Sequence, residues 1–448
     1  MNKRLYTLLI SMVAALGGLL FGFDIAIFSG IIPFIQPYFH LNDVQLGWTG
    51  SSLYIGCIIG SLATGQLTDR FGRKFPLLVS ALIFSVSCIF TGWSQTYSSL
   101  IIWRIIAGIG VGSASVLSPL YIAEISPSDI RGRMVSLNQL AIVTGILLAY
   151  FSNYILADFA DNWRWMFTSG AFPAGLFLIC TLFIPESPRW LILKGNEEKG
   201  ERILTRLMDK EAVSRELQEI KITVAGEVRG KVSDLFKKGV RYIVFIGIIL
   251  AVFQQISGAN AVFFYAPIIF EKAGMNIKSQ LFQQILVGFT NFIFTFLAIR
   301  LVDRLGRKKL MVGGSFLIGL WLLIIAAFFH FGWFSGFGLT LFVLLFIATY
   351  STTLAPVTWV LMSEIFPNRI RGTAMSVATG TLWISCFALT FGFPILFGSN
   401  NGKGLLSPMW NFVLFSGINF LYFFILLRMV PETKGKTLEE IEMELTKK

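Results

Sequence analysis

The chain has 448 residues, of which 55% are hydrophobic and only 14% are charged, and its mean hydropathy is +0.71. Water-soluble domains carry about 25% charged residues, so this composition excludes a soluble fold and predicts a lipid bilayer as the surroundings. The net charge of +12 does not indicate nucleic-acid binding, because the basic residues crowd alternate connections between apolar runs. That asymmetry is the pattern of the positive-inside rule.

Twelve apolar runs are long enough for a membrane helix, which needs about 20 residues. They cover residues 6–33, 46–67, 75–93, 98–122, 134–157, 164–185, 240–270, 281–302, 310–331, 338–362, 374–398 and 409–430. Lysine and arginine are concentrated in the connections at 69–74, 123–133, 186–239, 300–309 and 363–373. This bias predicts a multi-pass protein of the plasma (cell inner) membrane with both termini in the cytoplasm.

Three motifs occur twice in the same order, about half the chain length apart. They are Asp69-Arg70-Phe71-Gly72-Arg73-Lys74 with Asp303-Arg304-Leu305-Gly306-Arg307-Lys308, Glu124-Ile125-Ser126-Pro127 with Glu364-Ile365-Phe366-Pro367, and Pro185-Glu186-Ser187 with Pro431-Glu432-Thr433. Such repeats indicate two copies of one structural unit. The chain therefore divides into a six-helix bundle at 1–185, a helical linker at 186–239, a second bundle at 240–431 and a tail at 432–448. The linker is either a solvated connection or a cytoplasmic latch.

Several motifs argue against enzyme chemistry. Gly108, Gly110 and Gly112 lie inside an apolar run with no strand before them, so they favour close helix packing over dinucleotide binding. No phosphate-binding loop for ATP is present, and the cysteines Cys57, Cys88, Cys180 and Cys386 all lie in apolar runs without zinc spacing. No nucleophile–base pair stands out. We therefore expect no enzymatic activity, no metal and no cofactor.

Two charged residues lie inside the predicted spans, Asp24 in the first and Arg104 in the fourth. Each costs about 2.5–3.5 kcal/mol at mid-helix on insertion scales. One hypothesis is a proton switch, in which the distance from Arg104 decides whether Asp24 holds a proton. The alternative is an inert structural ion pair.

A group of amide and indole side chains is also unusual inside the predicted spans. Gln254, Gln255 and Asn260 lie in the seventh span, where Ser257-Gly258 favours a break that brings them together. Amides both donate and accept, which suits the hydroxyls of a neutral polyol, and an indole face packs on a sugar ring. Further polar or deep aromatic residues are Gln139, Asn153, Asn291, Trp359 and Trp383. This number of polar residues within apolar runs favours a polar cavity. The alternative is a set of interhelical hydrogen bonds worth about 0.6 kcal/mol each.

The chain is identified by these motifs as resembling the sugar porter family of the major facilitator superfamily. The motifs are the two D-R-x-G-R-K segments, P-E-S-P-R at 185–189, P-E-T-K-G at 431–435 and Q-Q-x-x-G-x-N at 254–260. The resemblance covers essentially the whole chain. It is strongest to bacterial proton-coupled symporters of the D-xylose type, and weaker to facilitative glucose transporters. It implies twelve helices in two six-helix bundles.

The resemblance also implies residue roles. Positions that contact sugar in the family match Gln139, Gln254, Gln255, Asn260, Asn291 and Trp359, and Trp383 lines the same cavity. Asp24 matches the proton-coupling carboxylate, with Arg104 as its partner, while Phe21 and Tyr265 match aromatic residues near the sugar and the outer gate. The network of cytoplasmic charges that holds the bundles together matches Arg73, Glu124, Arg131, Arg307, Glu364 and Arg371.

Four positions depart from the family pattern, which leaves the sugar open among glucose, galactose, xylose and arabinose. They are Ile146, Phe264, Leu382 and Ala355, in place of a glutamine, a tyrosine, an amide and a glycine. We expect a monomer that imports one monosaccharide with a proton by alternating access. The alternatives are an uncoupled facilitator, a transporter-like sugar sensor and a carrier of a non-sugar solute.

Overall fold

The structure is a computed structural model that describes residues 3–127, 130–209, 212–218, 235–237, 240–334, 337–367, 370–398 and 404–434, without the side chains of Asp303 and Arg371. Most of the predicted tail and a large part of the predicted linker therefore lie outside the described residues. Within them, all regular structure is helical.

Nine helices precede the gap in the linker. They are α1 (Lys3–Tyr38), α2 (Asp43–Phe71), α3 (Lys74–Gly92), α4 (Tyr97–Ile125), α5 (Arg131–Leu156), α6 (Asn162–Ser169), α7 (Ala171–Phe183), α8 (Pro188–Leu193) and α9 (Glu197–Leu207). Residues 212–218 are also helical. The later helices are α10 (Val240–Ile256), α11 (Ala259–Lys272), α12 (Ile277–Leu305), α13 (Arg307–Phe331), α14 (Gly338–Thr352), α15 (Leu354–Ile365), α16 (Arg371–Phe397) and α17 (Pro408–Met429).

Twelve segments of the described chain are long and apolar enough to cross a membrane, which confirms the predicted number of spans. Most helices run a few residues beyond the predicted apolar limits, because helical hydrogen bonding continues into the polar flanks. The first D-R-x-G-R-K segment, predicted to lie in a connection, is therefore partly helical. Asp69 and Arg70 form the last turn of α2, and the chain reverses at Gly72, whose φ is +87°.

Three spans are broken helices. The sixth breaks at Gly170, the seventh at Gly258 and the tenth at Thr353. The break at Gly258, which has φ +98°, confirms the one that Ser257-Gly258 predicted. It frees the Ser257 carbonyl, which accepts a hydrogen bond of 2.8 Å from Asn419 Nδ2. A buried helix break persists only where such partners satisfy the freed backbone groups.

The chain forms two compact units. Unit 1 comprises residues 1–31 and 52–227, and unit 2 comprises residues 32–51 and 228–448.

Glycines set the packing of unit 1. A methyl group at Gly108 would meet the Leu53 carbonyl of α2, one at Gly112 would meet Cys57, and one at Gly110 would lie 2.8 Å from the Ser80 carbonyl of α3. These glycines therefore serve close helix packing, as predicted.

Most of the described part of the linker packs within unit 1. The C-terminal end of α9 lies on the first turns of α1, where Lys3 Nζ donates to the Met208 carbonyl at 2.8 Å and Thr7 Oγ1 to the Leu207 carbonyl at 3.2 Å. Arg131, at the start of α5, pairs with Glu216 at 2.8 Å. These contacts hold the linker on α1 and α5, so this part of it is not a fully solvated connection.

In unit 2, α13 packs on α17, α10 on α16, and α12 on α14. Ser416 Oγ of α17 donates to the Gly319 carbonyl of α13 at 2.7 Å. Trp48, at the start of α2, stands edge-on to Phe387 and Phe391 of α16. The broken seventh span also packs on α15 and α16, which carry Trp359 and Trp383.

We predict that Gly108→Ala lowers the free energy of unfolding by about 1–3 kcal/mol, because the added methyl overpacks the contact with α2. Gly175→Ala is the control, since a methyl there meets nothing within 4 Å. It should be neutral or stabilise by up to about 1 kcal/mol, because alanine is the better helix former. Denaturant unfolding of both purified variants in detergent is the measurement, and equal stabilities would contradict the packing role.

Candidate functional site

Three amide side chains of the seventh span meet at its break. Gln254 Nε2 donates to the Ala355 carbonyl at 3.2 Å, and Gln255 Nε2 donates to Gln254 Oε1 at 2.8 Å. Asn260, on the far side of the break, donates from Nδ2 to Gln255 Oε1. The sequence predicted this convergence, and the break at Gly258 makes it because a continuous helix would point these side chains in different directions.

Asn291 belongs to a second polar group, on α12. Its Oδ1 accepts from Ser351 Oγ of α14 at 2.7 Å and from Thr295 Oγ1 at 3.4 Å. Its Nδ2 makes no hydrogen bond within the described residues. Ser351 therefore orients Asn291 with its amino group available to a further acceptor.

The aromatic candidates differ in exposure. The Trp383 side chain on α16 is buried at 5% exposure, whereas Trp359 on α15 is 36% exposed. Tyr265 is fully buried, stacks on Phe393 and donates from its hydroxyl to the Thr390 carbonyl at 2.6 Å. Tyr265 is therefore held in the wall of unit 2, while the Trp359 indole is free to pack on a ligand.

The remaining candidates of this kind lie on the helices of unit 1. Gln139, on α5, is half-buried and makes no hydrogen bond within the described part of the chain. Phe21, on α1, is also half-buried. The amide of Gln139 is thus available to a ligand.

Asp24 and Arg104 meet in the interior of unit 1. Arg104 Nη1 lies 3.4 Å from Asp24 Oδ1, and both side chains are at most 4% exposed. The guanidinium lies over the rings of Phe28 and Phe167, at 4.8 and 5.8 Å from their centroids. The sequence could not establish this contact. Asp24 Oδ2 makes no hydrogen bond within the described residues, so the carboxyl has a place for a proton.

Asn153 holds the helix next to this ion pair. Its Nδ2 donates to the Ala26 carbonyl of α1 at 2.8 Å, and a methyl group at Gly30 would collide with its side chain. The sequence marked Asn153 only as one polar residue of a possible cavity. The structure instead makes it a brace between α5 and α1, close to Asp24.

Four residues of the predicted charge network form two equivalent clusters, one in each unit, and its role in holding the bundles together stays a prediction. In unit 1, Arg73 pairs with Glu124 through Nη2–Oε1 at 2.7 Å and Nε–Oε2 at 2.9 Å. In unit 2, Arg307 Nη2 pairs with Glu364 Oε1 at 3.0 Å. These ion pairs join helices within one unit. Arg131 pairs with the linker residue Glu216, and the side chain of Arg371 lies outside the described residues.

Sequence reasoning missed Glu186 and Glu432, which complete the clusters. Glu186 Oε1 accepts from the backbone amides of Arg73 at 2.7 Å and Lys74 at 3.2 Å, and Glu432 Oε1 accepts from the Arg307 amide at 3.0 Å. A carboxylate at a helix N-terminus satisfies free amides and interacts favourably with the helix dipole. The repeated Pro-Glu motifs carried the signal, but their target lies more than 100 residues away.

Gly72 and Gly306 make room for these carboxylates. Both have positive φ, +87° and +88°, and a methyl group on either would collide with the carboxylate of Glu186 or Glu432. The glycine of each D-R-x-G-R-K segment is therefore required for two reasons: its backbone has a positive φ, and a glutamate side chain approaches it closely.

No group of three or more His, Cys, Asp or Glu side chains able to hold a metal occurs among the described residues. The two units offer different chemistry instead, the amides in unit 2 and the ion pair in unit 1. Amides and an indole suit a neutral, hydroxylated ligand, and a buried carboxylate beside an arginine suits the uptake and release of a proton.

Comparison with known proteins decides the family, because residues 10–445 match the family described as sugar (and other) transporter. The chain belongs to this family. An arabinose-proton symporter of Bacillus subtilis is 39% identical, with 98% of this chain and 94% of that protein covered.

Solved structures support the same assignment. The xylose transporter XylE from E. coli in an inward-open conformation gives a TM-score of 0.84 at 36% identity, covering 97% of this chain and 99% of that one. The major facilitator superfamily proton:xylose symporter XylE bound to 6-bromo-6-deoxy-D-glucose gives 0.80 at 35% identity, covering 99% of this chain and all of that one. This member of the sugar transporter family is thus a multi-pass membrane protein with the major facilitator fold, and a transporter rather than an enzyme.

We predict that Glu186→Ala and Glu432→Ala each lower the free energy of unfolding by about 1–3 kcal/mol, because each leaves helix amides without a charged acceptor. Glu198→Ala is the matched control, since its carboxylate is 87% exposed and pairs with Arg202 at 3.2 Å. It should change stability by less than about 0.5 kcal/mol. Equal loss in all three variants, measured by denaturant unfolding, would contradict the capping role.

Proposed function

We propose that this chain is a secondary active transporter that imports a monosaccharide together with a proton by alternating access. The observation that carries the proposal is the pairing of two features in one chain of this family. One is a group of uncharged amides at a helix break, and the other is a buried aspartate–arginine pair. Similar proteins named for arabinose–proton and xylose–proton symport support it.

The sugar is bound by amides and indoles. Gln254 and Gln255 each use one N–H within the cluster and keep a second for a sugar oxygen. The Asn291 amino group is available as a third donor, and the exposed Trp359 ring offers an apolar face to the ring carbons. The proposed sugar site comprises Gln139, Gln254, Gln255, Asn260, Asn291, Trp359 and Trp383, with Phe21 and Tyr265 in the cavity wall and gate.

Asp24 carries the proton. In the ion pair with Arg104 the carboxylate is charged and its charge is balanced. When the two side chains separate, the desolvated carboxylate gains a proton at its available oxygen, and it loses the proton when the pair re-forms. A membrane potential of 100 mV supplies about 2.3 kcal/mol per proton, enough for roughly fifty-fold accumulation of sugar.

The proposed membrane orientation follows from the distribution of basic residues, and the proposed division into halves follows from the repeated motifs. The basic connections support a plasma (cell inner) membrane protein with both termini in the cytoplasm. The charge clusters would then stabilise the cytoplasmic ends of the helices, and the repeated motifs support six-helix halves at 1–185 and 240–431, joined by a linker at 186–239 and followed by a tail at 432–448. We expect a monomer to be the functional form.

One observation favours a second candidate, an uncoupled sugar facilitator. Two cation–aromatic contacts and full burial stabilise the Asp24–Arg104 pair, as they would a permanent structural pair. Sugar-evoked alkalinisation of the medium distinguishes the candidates, since only the symporter removes protons from it.

We predict that Asp24→Asn abolishes uphill uptake but preserves exchange of labelled for unlabelled sugar, because asparagine keeps the volume and polarity without binding a proton. The measurement is uptake by proteoliposomes with an imposed proton gradient, compared with counterflow without one. Proton coupling through Asp24 is wrong if the variant still concentrates sugar. Wild-type uptake that does not change with the imposed proton gradient would support the uncoupled facilitator.

We also predict that Gln255→Leu raises the sugar concentration for half-maximal uptake about tenfold or more, because a buried sugar hydroxyl and Asn260 both lose a partner. Gln95→Leu, at an exposed glutamine on the connection before α4, is the control and should match the wild type. A panel of unlabelled glucose, galactose, xylose and arabinose competing for uptake identifies the sugar for this test. Unchanged affinity in Gln255→Leu would remove this residue from the site.

A further inference from the structure

The hydrogen bonds of the amide cluster all run in one direction, and the first acceptor of the series is a backbone carbonyl. The Ala355 carbonyl can only accept, so the atom of Gln254 that lies 3.2 Å from it is the amino nitrogen. Gln254 Oε1 then faces Gln255 and accepts from its Nε2 at 2.8 Å. Gln255 Oε1 in turn accepts from Asn260 Nδ2. One carbonyl therefore sets the orientation of three amides in series.

Cys386 completes the series at its other end. Asn260 Nδ2 also lies 3.8 Å from the Cys386 sulfur, within hydrogen-bond distance of a thiol. Both hydrogens of the Asn260 amino group thus have acceptors inside the protein. The Asn260 side chain is half-buried, and its Oδ1 makes no hydrogen bond within the described part of the chain.

Turning one amide of the series, or all three together, is unfavourable. Turning Asn260 alone would set its oxygen against Gln255 Oε1. Turning all three amides would set Gln254 Oε1 against the Ala355 carbonyl. Each change removes a hydrogen bond and brings two buried oxygens together, which costs more than losing a bond that water can replace.

We propose that the Ala355 carbonyl fixes the polarity of this cluster and that the Cys386 sulfur occupies the second Asn260 N–H, so that Asn260 meets the sugar only as a hydrogen-bond acceptor. This inference rests on the proposed function and names a requirement on its substrate. The sugar must present a free hydroxyl that donates to Asn260 Oδ1. Gln254 and Gln255 keep N–H donors, so hydroxyls that face them need only accept. Cys386 is then a specificity-determining residue that acts through Asn260.

Deoxyfluoro sugars test this polarity, because fluorine accepts a hydrogen bond weakly but cannot donate one. The experiment uses the full chain in proteoliposomes. D-glucose and D-xylose compete with the labelled sugar first, and the better competitor is then compared with its monodeoxy and monodeoxyfluoro analogues at each carbon. At one position we expect the deoxy and fluoro analogues to compete about tenfold or more weakly than the parent sugar, and equally with each other. At positions facing N–H donors, the fluoro analogue should compete better than the deoxy analogue.

The outcomes distinguish failure of the inference from failure of the proposed function. The inference is overturned, while the sugar site stands, if the fluoro analogue competes better than the deoxy analogue at every carbon that matters. It is also overturned if all the analogues match the parent. If neither D-glucose nor D-xylose competes, galactose and arabinose are tried, and failure of all four removes the proposed function and the inference with it.

Variants at Cys386 test the thiol separately. Cys386→Ala releases one Asn260 N–H, so the fluoro analogue at the discriminating carbon should regain about threefold or more relative to the parent sugar. Cys386→Ser is the matched control, because its hydroxyl still accepts from Asn260 and should preserve the discrimination. If the ratio stays at the wild-type value in Cys386→Ala, the thiol does not keep this N–H from the sugar. The wild-type panel tests the polarity even if a variant does not fold.

Discussion

The constraint on which this structure depends is that backbone and side-chain polar groups inside a bilayer must find partners within the protein. The seventh span meets it in an unusual way. Its helix breaks at Gly258, Asn419 takes up the released Ser257 carbonyl, and the break turns Asn260 back toward Gln255. A defect that lipid would not tolerate in isolation thereby becomes the place where three amide side chains meet.

The same constraint explains why the charged groups lie where they do. Asp24 and Arg104 are tolerated because each neutralises the other and two aromatic rings cover the guanidinium. Separating such a pair would leave a buried charge without a partner, and the proposed uptake of a proton by Asp24 would avoid that cost. Asn153 also donates a hydrogen bond to the α1 backbone at Ala26, two residues from Asp24. The proposed sugar and proton sites thus use different chemistry, uncharged amides for one and a balanced charge for the other.

Gene duplication has left a structural repeat as well as a sequence repeat. In both units a glycine with positive φ follows the end of one helix, an arginine stands at the N-terminus of the next, and a glutamate from far along the chain caps it. The arginine then pairs with a second glutamate, Glu124 or Glu364. Because each cluster ties three distant segments together, it stabilises the tertiary arrangement of the helices rather than one helix alone.

The sequence by itself determined the class of protein, the twelve spans, the break at Gly258 and the residue types of the candidate site. These features depend on the local sequence or on the bilayer, so they can be read from the sequence. They are the length of the apolar runs, the basic connections, the glycines and the polar residues within apolar runs. Only the tertiary structure decided that Asp24 touches Arg104, that Asn153 braces α1, that Glu186 and Glu432 cap helices, and which way the amides of the cluster point. These features depend on distances between residues far apart in the chain, and on acceptors such as the Ala355 carbonyl that every residue possesses and no sequence pattern marks.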